Sequence, residues 1–123
     1  MLKKAVSGNK LADIVVKGMQ EKKAKSIIKI DLRKLKISIT DYFVICHAES
    51  SKQIDAIADS VEEEVRNATG MKPYSREGFM NAEWIIIDYS DVIVHIFNKE
   101  KRYYYNLEEL WSDGVIKKFK DID

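Results

Sequence analysis

The chain has 123 residues, 46% hydrophobic and 33% charged, which is enough apolar material for one core and too much for a disordered segment. Its 21 basic and 20 acidic residues leave a net charge of +1, which argues against affinity drawn mainly from neutralising phosphates. A single cysteine, Cys46, rules out an internal disulfide, and no apolar run approaches the ~18 residues of a membrane span or follows Lys3 and Lys4 as in a signal peptide. The expectation is one cytoplasmic domain over 1–123, with its core at about 9–111 and a tail at 112–123.

The first element is an amphipathic helix. Leu11, Ile14, Val15 and Met19 form its apolar stripe, and Asn9 is a candidate N-cap. The basic Lys22, Lys23 and Lys25 suit a solvated helix end. Ser26–Asp31 is short and β-branched and reads as a strand. Leu32–Thr40 reads as a loop or ragged edge, and Asp41–His47 as a central strand apolar on both faces. Ser50 and Gln53 have the form of a capping box ahead of Ile54, Ile57, Ala58, Val61 and Val65. Gly70 and Pro73 end that helix, which is predicted at about residues 51–69. A short strand is possible near Lys72–Ser75. Glu83–Asp88 and Val92–Phe97 flank Tyr89-Ser90-Asp91 as an antiparallel hairpin. Asn98 caps a short helix through Tyr105, Leu107, Leu110 and Trp111 make a last helical turn, and the tail beyond is read as frayed or weakly docked. The fold class is therefore α/β: a single domain with a mixed sheet of four to five strands and flanking helices.

The residue types point away from catalysis. The five glycines are not clustered into a phosphate cradle. Cys46 and His47 are neighbours on a strand, so their side chains point to opposite faces. One cysteine and two histidines are too few and too scattered for a metal site. His95, in an apolar strand, reads as a core or interface histidine with a hydrogen-bond partner, with a proton-transfer role as the lesser alternative. Asp88 and Asp91 bracket the hairpin and have three readings: turn residues, contacts to a basic partner, or magnesium ligands, with Asp31 and Asp41 as further carboxylates by type only. Trp84 is either a core residue or a partly exposed anchor for a protein partner, and spacing does not separate the two. Of Tyr103, Tyr104 and Tyr105, at least one must face outwards.

Three ordered segments carry a resemblance. Ile39 through Cys46 reads I-T-D-Y-F-V-I-C. Glu77-Gly78 is followed by Ala82, Trp84, Asp88, Asp91, Val92, Val94 and His95. Arg102, Tyr105, Leu107, Glu108, Leu110 and Trp111 close the pattern. Together they resemble the ribosomal silencing factor (Iojap-like) family over about Leu11 to Trp111. Ser90 departs from the family pattern, which has glycine there. The resemblance implies a nucleotidyltransferase-like fold and a protein that binds the large ribosomal subunit through its ribosomal protein number fourteen. Bound there, it blocks subunit joining and represses translation, without catalysis or cofactor, and it is a possible homodimer when free. Little direct nucleic-acid binding is expected. The partner-binding residues expected are Glu77, Gly78, Trp84, Asp88, Tyr89, Asp91 and Arg102. The alternative is a divergent nucleotidyltransferase-like nucleotide-binding enzyme. The Gly-Ser turn of such enzymes does not occur in this sequence, and its D-x-D, Asp121-Ile122-Asp123, lies in the tail rather than on a predicted strand.

Overall fold

A computed structural model describes residues 6–36 and 39–122; Lys3, Lys4 and positions 37–38 of the expected loop lie outside the described residues. The elements in chain order are α1 (Gly8–Glu21), β1 (Lys25–Asp31), β2 (Tyr42–Ala48), α2 (Ser51–Thr69), β3 (Ser75–Glu77), β4 (Trp84–Asp88), β5 (Val92–Asn98), α3 (Lys99–Tyr105), α4 (Leu107–Leu110) and β6 (Val115–Lys118). The expectation of four to five strands is corrected to six, in the order β3-β4-β5-β2-β1-β6. Only β2 and β5 run parallel; every other neighbouring pair is antiparallel.

The extra strand comes from the tail. β6 pairs antiparallel with β1, and Phe119 N–H continues the ladder to the Ile27 carbonyl. Asp121 then accepts the Ser26 backbone N–H at 2.8 Å, where β1 is irregular and Ser26 has a φ of 50°. All four β6 side chains are exposed, so this strand is held mainly by its backbone. The short strand after α2 lies at Ser75–Glu77 rather than Lys72–Ser75.

The helix ends follow local chemistry. Ser7 caps α1, its hydroxyl accepting Lys10 N–H at 3.2 Å. Asn9 does not cap. Its side chain accepts instead from Lys29 Nζ at 2.7 Å, which ties α1 to β1. Ser50 caps α2 as expected, but the box closes on one side only, because Gln53 Nε2 donates to the Lys22 carbonyl. Gly70 ends α2 in the left-handed conformation, with φ 76°.

The two long helices cover one face of the sheet. Leu11, Val15, Met19, Ile54, Ile57, Val61 and Val65 meet Val44, Cys46, Ile85, Ile87, Val94 and Ile96 there. They approach closely at Gly18, where a Cβ would lie 2.7 Å from the Val61 Cα, and Ser60 Oγ donates to the Gly18 carbonyl at 2.7 Å. On the opposite face, Ile28, Ile30, Phe43, Ile45, Ile93 and Phe97 form a second, thinner core. Leu107, Trp111 and Leu35 cover part of it, and Trp84 and Ile86 complete it while staying partly exposed.

Candidate functional site: the open edge of the second sheet face

Alternation along β4 sends Ile85 and Ile87 to the helices and Trp84, Ile86 and Asp88 to the second face. The β3–β4 register places Glu77 opposite Ile86 and Ser75 opposite Asp88, so Glu77 shares that face. Arg76, opposite Ile87, turns the other way and pairs with Glu62 of α2 at 2.6 Å. Three expected partner residues (Glu77, Trp84 and Asp88) thus converge on one surface. Its centre is apolar, Trp84 and Ile86, and its margin carries two carboxylates. Ile86 is the member that sequence reasoning missed. The alternation of Trp84-Ile85-Ile86-Ile87 held the signal, because one pair of these residues had to face away from the helices.

Trp84 is neither plain core nor a free anchor. It packs against Phe97 and Tyr105, with ring centroids at 4.9 Å and 4.6 Å. Its indole N–H donates to His95 Nδ1 at 3.1 Å. Burial depresses the pKa of His95 to about 3, so the ring is neutral at ordinary pH. Gly78 makes the turn into β4 possible: its φ is 87°, and a Cβ there would collide with the Trp84 carbonyl.

The remaining expected residues sit elsewhere. Tyr89 is buried in the core under the helices, where burial raises its pKa and its hydroxyl has no hydrogen-bond partner among the described residues. Arg102 is also buried. It grips Glu108 through Nε and Nη2, at 3.2 Å and 3.3 Å, and donates from Nη1 to His47 Nδ1 at 2.9 Å. Both residues act inside the fold rather than on its surface. Because guanidinium only donates, His47 must accept at Nδ1; its pKa is lowered first by burial and then by the Arg102 charge. Asp88 accepts the Ser90 N–H at 2.7 Å, the turn bond expected of an aspartate there. Asp91 is exposed at the tip, and its carbonyl accepts the N–H groups of Asp41 and Tyr42, which fastens the hairpin to β2.

Cys46 lies under the helices, its thiol pushed up to about 12 by burial, while His95 and His47 lie on the other face. Among the described residues, no three His, Cys, Asp or Glu side chains gather as metal ligands. No helix among them is long and apolar enough to cross a membrane.

The sequence matches the family described as "Ribosomal silencing factor during starvation" over residues 5–123. The chain belongs to the ribosomal silencing factor family. Ribosomal silencing factors of Halalkalibacterium halodurans and Bacillus subtilis are 38% and 39% identical to it, spanning 89% and 84% of this chain and 92% and 86% of theirs. A crystal structure of a protein from Chromobacterium violaceum superposes with a TM-score of 0.82 at 29% identity, covering 87% of this chain and 88% of that one. The resemblance read from three sequence segments therefore holds over residues 5–123, and the expected mixed α/β sheet with flanking helices holds as well.

Proposed function

We propose that this silencing factor acts by occupancy: it binds the large ribosomal subunit in the cytoplasm through its ribosomal protein number fourteen, blocks subunit joining and so represses translation, without catalysing a reaction. The observation that carries this reading is the open edge of the second sheet face. An apolar centre of Trp84 and Ile86 with Glu77 and Asp88 at its margin has the layout of a protein-docking patch. The carboxylates suit a basic partner, and ribosomal proteins are commonly basic; such charges steer encounter and fix orientation. Burial of Tyr89 and Arg102 gives them supporting roles, with Arg102 holding α3 and α4 to the sheet. The free protein is a candidate homodimer. The near-zero net charge suits a protein partner better than a long stretch of RNA.

The experiment is co-sedimentation of the folded protein with purified large subunits, followed by a subunit-joining assay. Saturable binding that lowers the yield of joined ribosomes is expected. Folded protein that stays in the supernatant would overturn the reading.

A further inference from the structure

Trp84 has one polar atom, and the fold already uses it. The indole Nε1–H donates to His95 Nδ1 at 3.1 Å, across the β4–β5 ladder. An imidazole that accepts at Nδ1 and is neutral carries its hydrogen on Nε2. That Nε2 is buried and has no hydrogen-bond partner among the described residues. The Phe43 and His95 rings lie at 85° to one another, with centroids 4.7 Å apart. His95 therefore keeps a costly, half-satisfied position whose one strong bond goes to Trp84.

We propose that His95 is a positioning residue for the docking face: it fixes the indole of Trp84 and takes up its N–H, so the partner group that seats against Trp84 and Ile86 is an apolar side chain, flanked by cations that meet Glu77 and Asp88. The proposal rests on the docking reading above and adds to it the chemistry of the contact. An indole whose N–H pointed outwards would ask the partner for an acceptor. This one offers only carbon, and a dry apolar contact needs no such match. The aromatic neighbours Phe97 and Tyr105 restrict the ring further, so little side-chain freedom is lost when the partner binds.

The test compares His95→Leu, which removes the acceptor, with His95→Asn, whose Oδ1 keeps one close to the place of Nδ1. Two readouts are taken: hydrogen exchange at the Trp84 indole N–H, assigned by its loss in Trp84→Phe, and affinity for purified large subunits. Loss of one hydrogen bond predicts roughly tenfold faster indole exchange and roughly tenfold weaker binding in His95→Leu. His95→Asn should restore both to within about threefold of wild type. A merely structural histidine would change melting temperature without this paired recovery. Protected indole exchange in His95→Leu, or wild-type affinity despite an exposed indole N–H, overturns the proposal. The wild-type protein supplies a check that needs no variant, since a freely exchanging Trp84 N–H also overturns it. If wild-type protein does not bind large subunits, the docking reading fails, while the exchange measurement still decides whether His95 holds Trp84.

Discussion

Gly78 leaves room for the carbonyl of Trp84. At a φ of 87° its backbone passes so close to that carbonyl that no Cβ fits. The Gly78 carbonyl in turn accepts the Ala82 N–H at 3.0 Å, closing the turn that carries the chain from β3 into β4. A residue read from the sequence as a partner contact is thus the hinge on which Glu77 and Trp84 reach the same face. Gly78→Ala should cost about 2 kcal/mol or more, from the left-handed backbone and the collision together. Urea denaturation of the variant checks this; an unchanged midpoint would mean that the turn relaxes freely.

Trp84→Ala is expected to damage folding and binding together. The ring fills space beside Phe97 and Tyr105, and its removal leaves His95 without its donor. Partial exposure sets the stability loss below that of a fully buried tryptophan, at about 2–4 kcal/mol. Trp84→Phe keeps part of the packing and should lose less. Calorimetric melting of both variants gives the order, and a Trp84→Ala midpoint equal to wild type would contradict the packing described.

The hairpin aspartates should separate. Asp88→Ala removes the acceptor of the Ser90 N–H and should cost about 1 kcal/mol. Asp91→Ala touches an exposed side chain and should stay within about 0.5 kcal/mol of wild type. Between them, Ser90 holds a φ of 75°, which favours glycine. Ser90→Gly should therefore stabilise the hairpin by roughly 1 kcal/mol. Denaturation of the three single variants tests the ranking, and a destabilised Ser90→Gly would contradict it.

The local signals were legible in the sequence, and the long-range ones were not. α2 was readable because Ser50, the spaced apolar residues and Gly70 each act within a few residues of the element they define. β2 was readable because all seven of its residues are buried. β6 was not, because its four side chains are exposed and its partner β1 lies far away in the chain. Asn9 looked like a cap because nothing local reveals Lys29 above it. Arg102 looked like a surface contact because only partners distant in the chain or the fold, His47 and Glu108, reveal its burial, and Tyr89 because nothing local shows that its ring turns into the core under the helices. At the candidate site, the sequence supplied Glu77, Trp84 and Asp88, and only the β3–β4 register put them on one face with Ile86.

Both histidines are buried neutral, which sets a pH dependence of stability. The folded pKa of His95 is depressed to about 3 from 6.5, and that of His47 is lowered as well. Below the unfolded value the unfolded chain binds protons that the folded chain refuses. This contribution to stability is therefore full above pH 6.5 and is lost as pH falls from there towards the folded value. The slope for one histidine reaches about 1.4 kcal/mol per pH unit. His95→Asn should show a shallower fall between about pH 6.5 and pH 5, the range above most carboxylate titration. Denaturation midpoints across that range decide it, and parallel curves for the variant and wild type would contradict neutral burial of His95.

The most direct test of the docking account is the affinity of Glu77→Lys and Ile86→Lys for purified large ribosomal subunits. Glu77 is exposed, with no side-chain hydrogen bond or ion pair among the described residues, and Ile86 sits at the partly exposed centre of the patch. Both proteins should fold, and both should bind at least about tenfold more weakly than wild type, through charge reversal at the margin and a charge set into the apolar centre. Folded variants that bind the large subunit with wild-type affinity would place the partner surface elsewhere on the molecule.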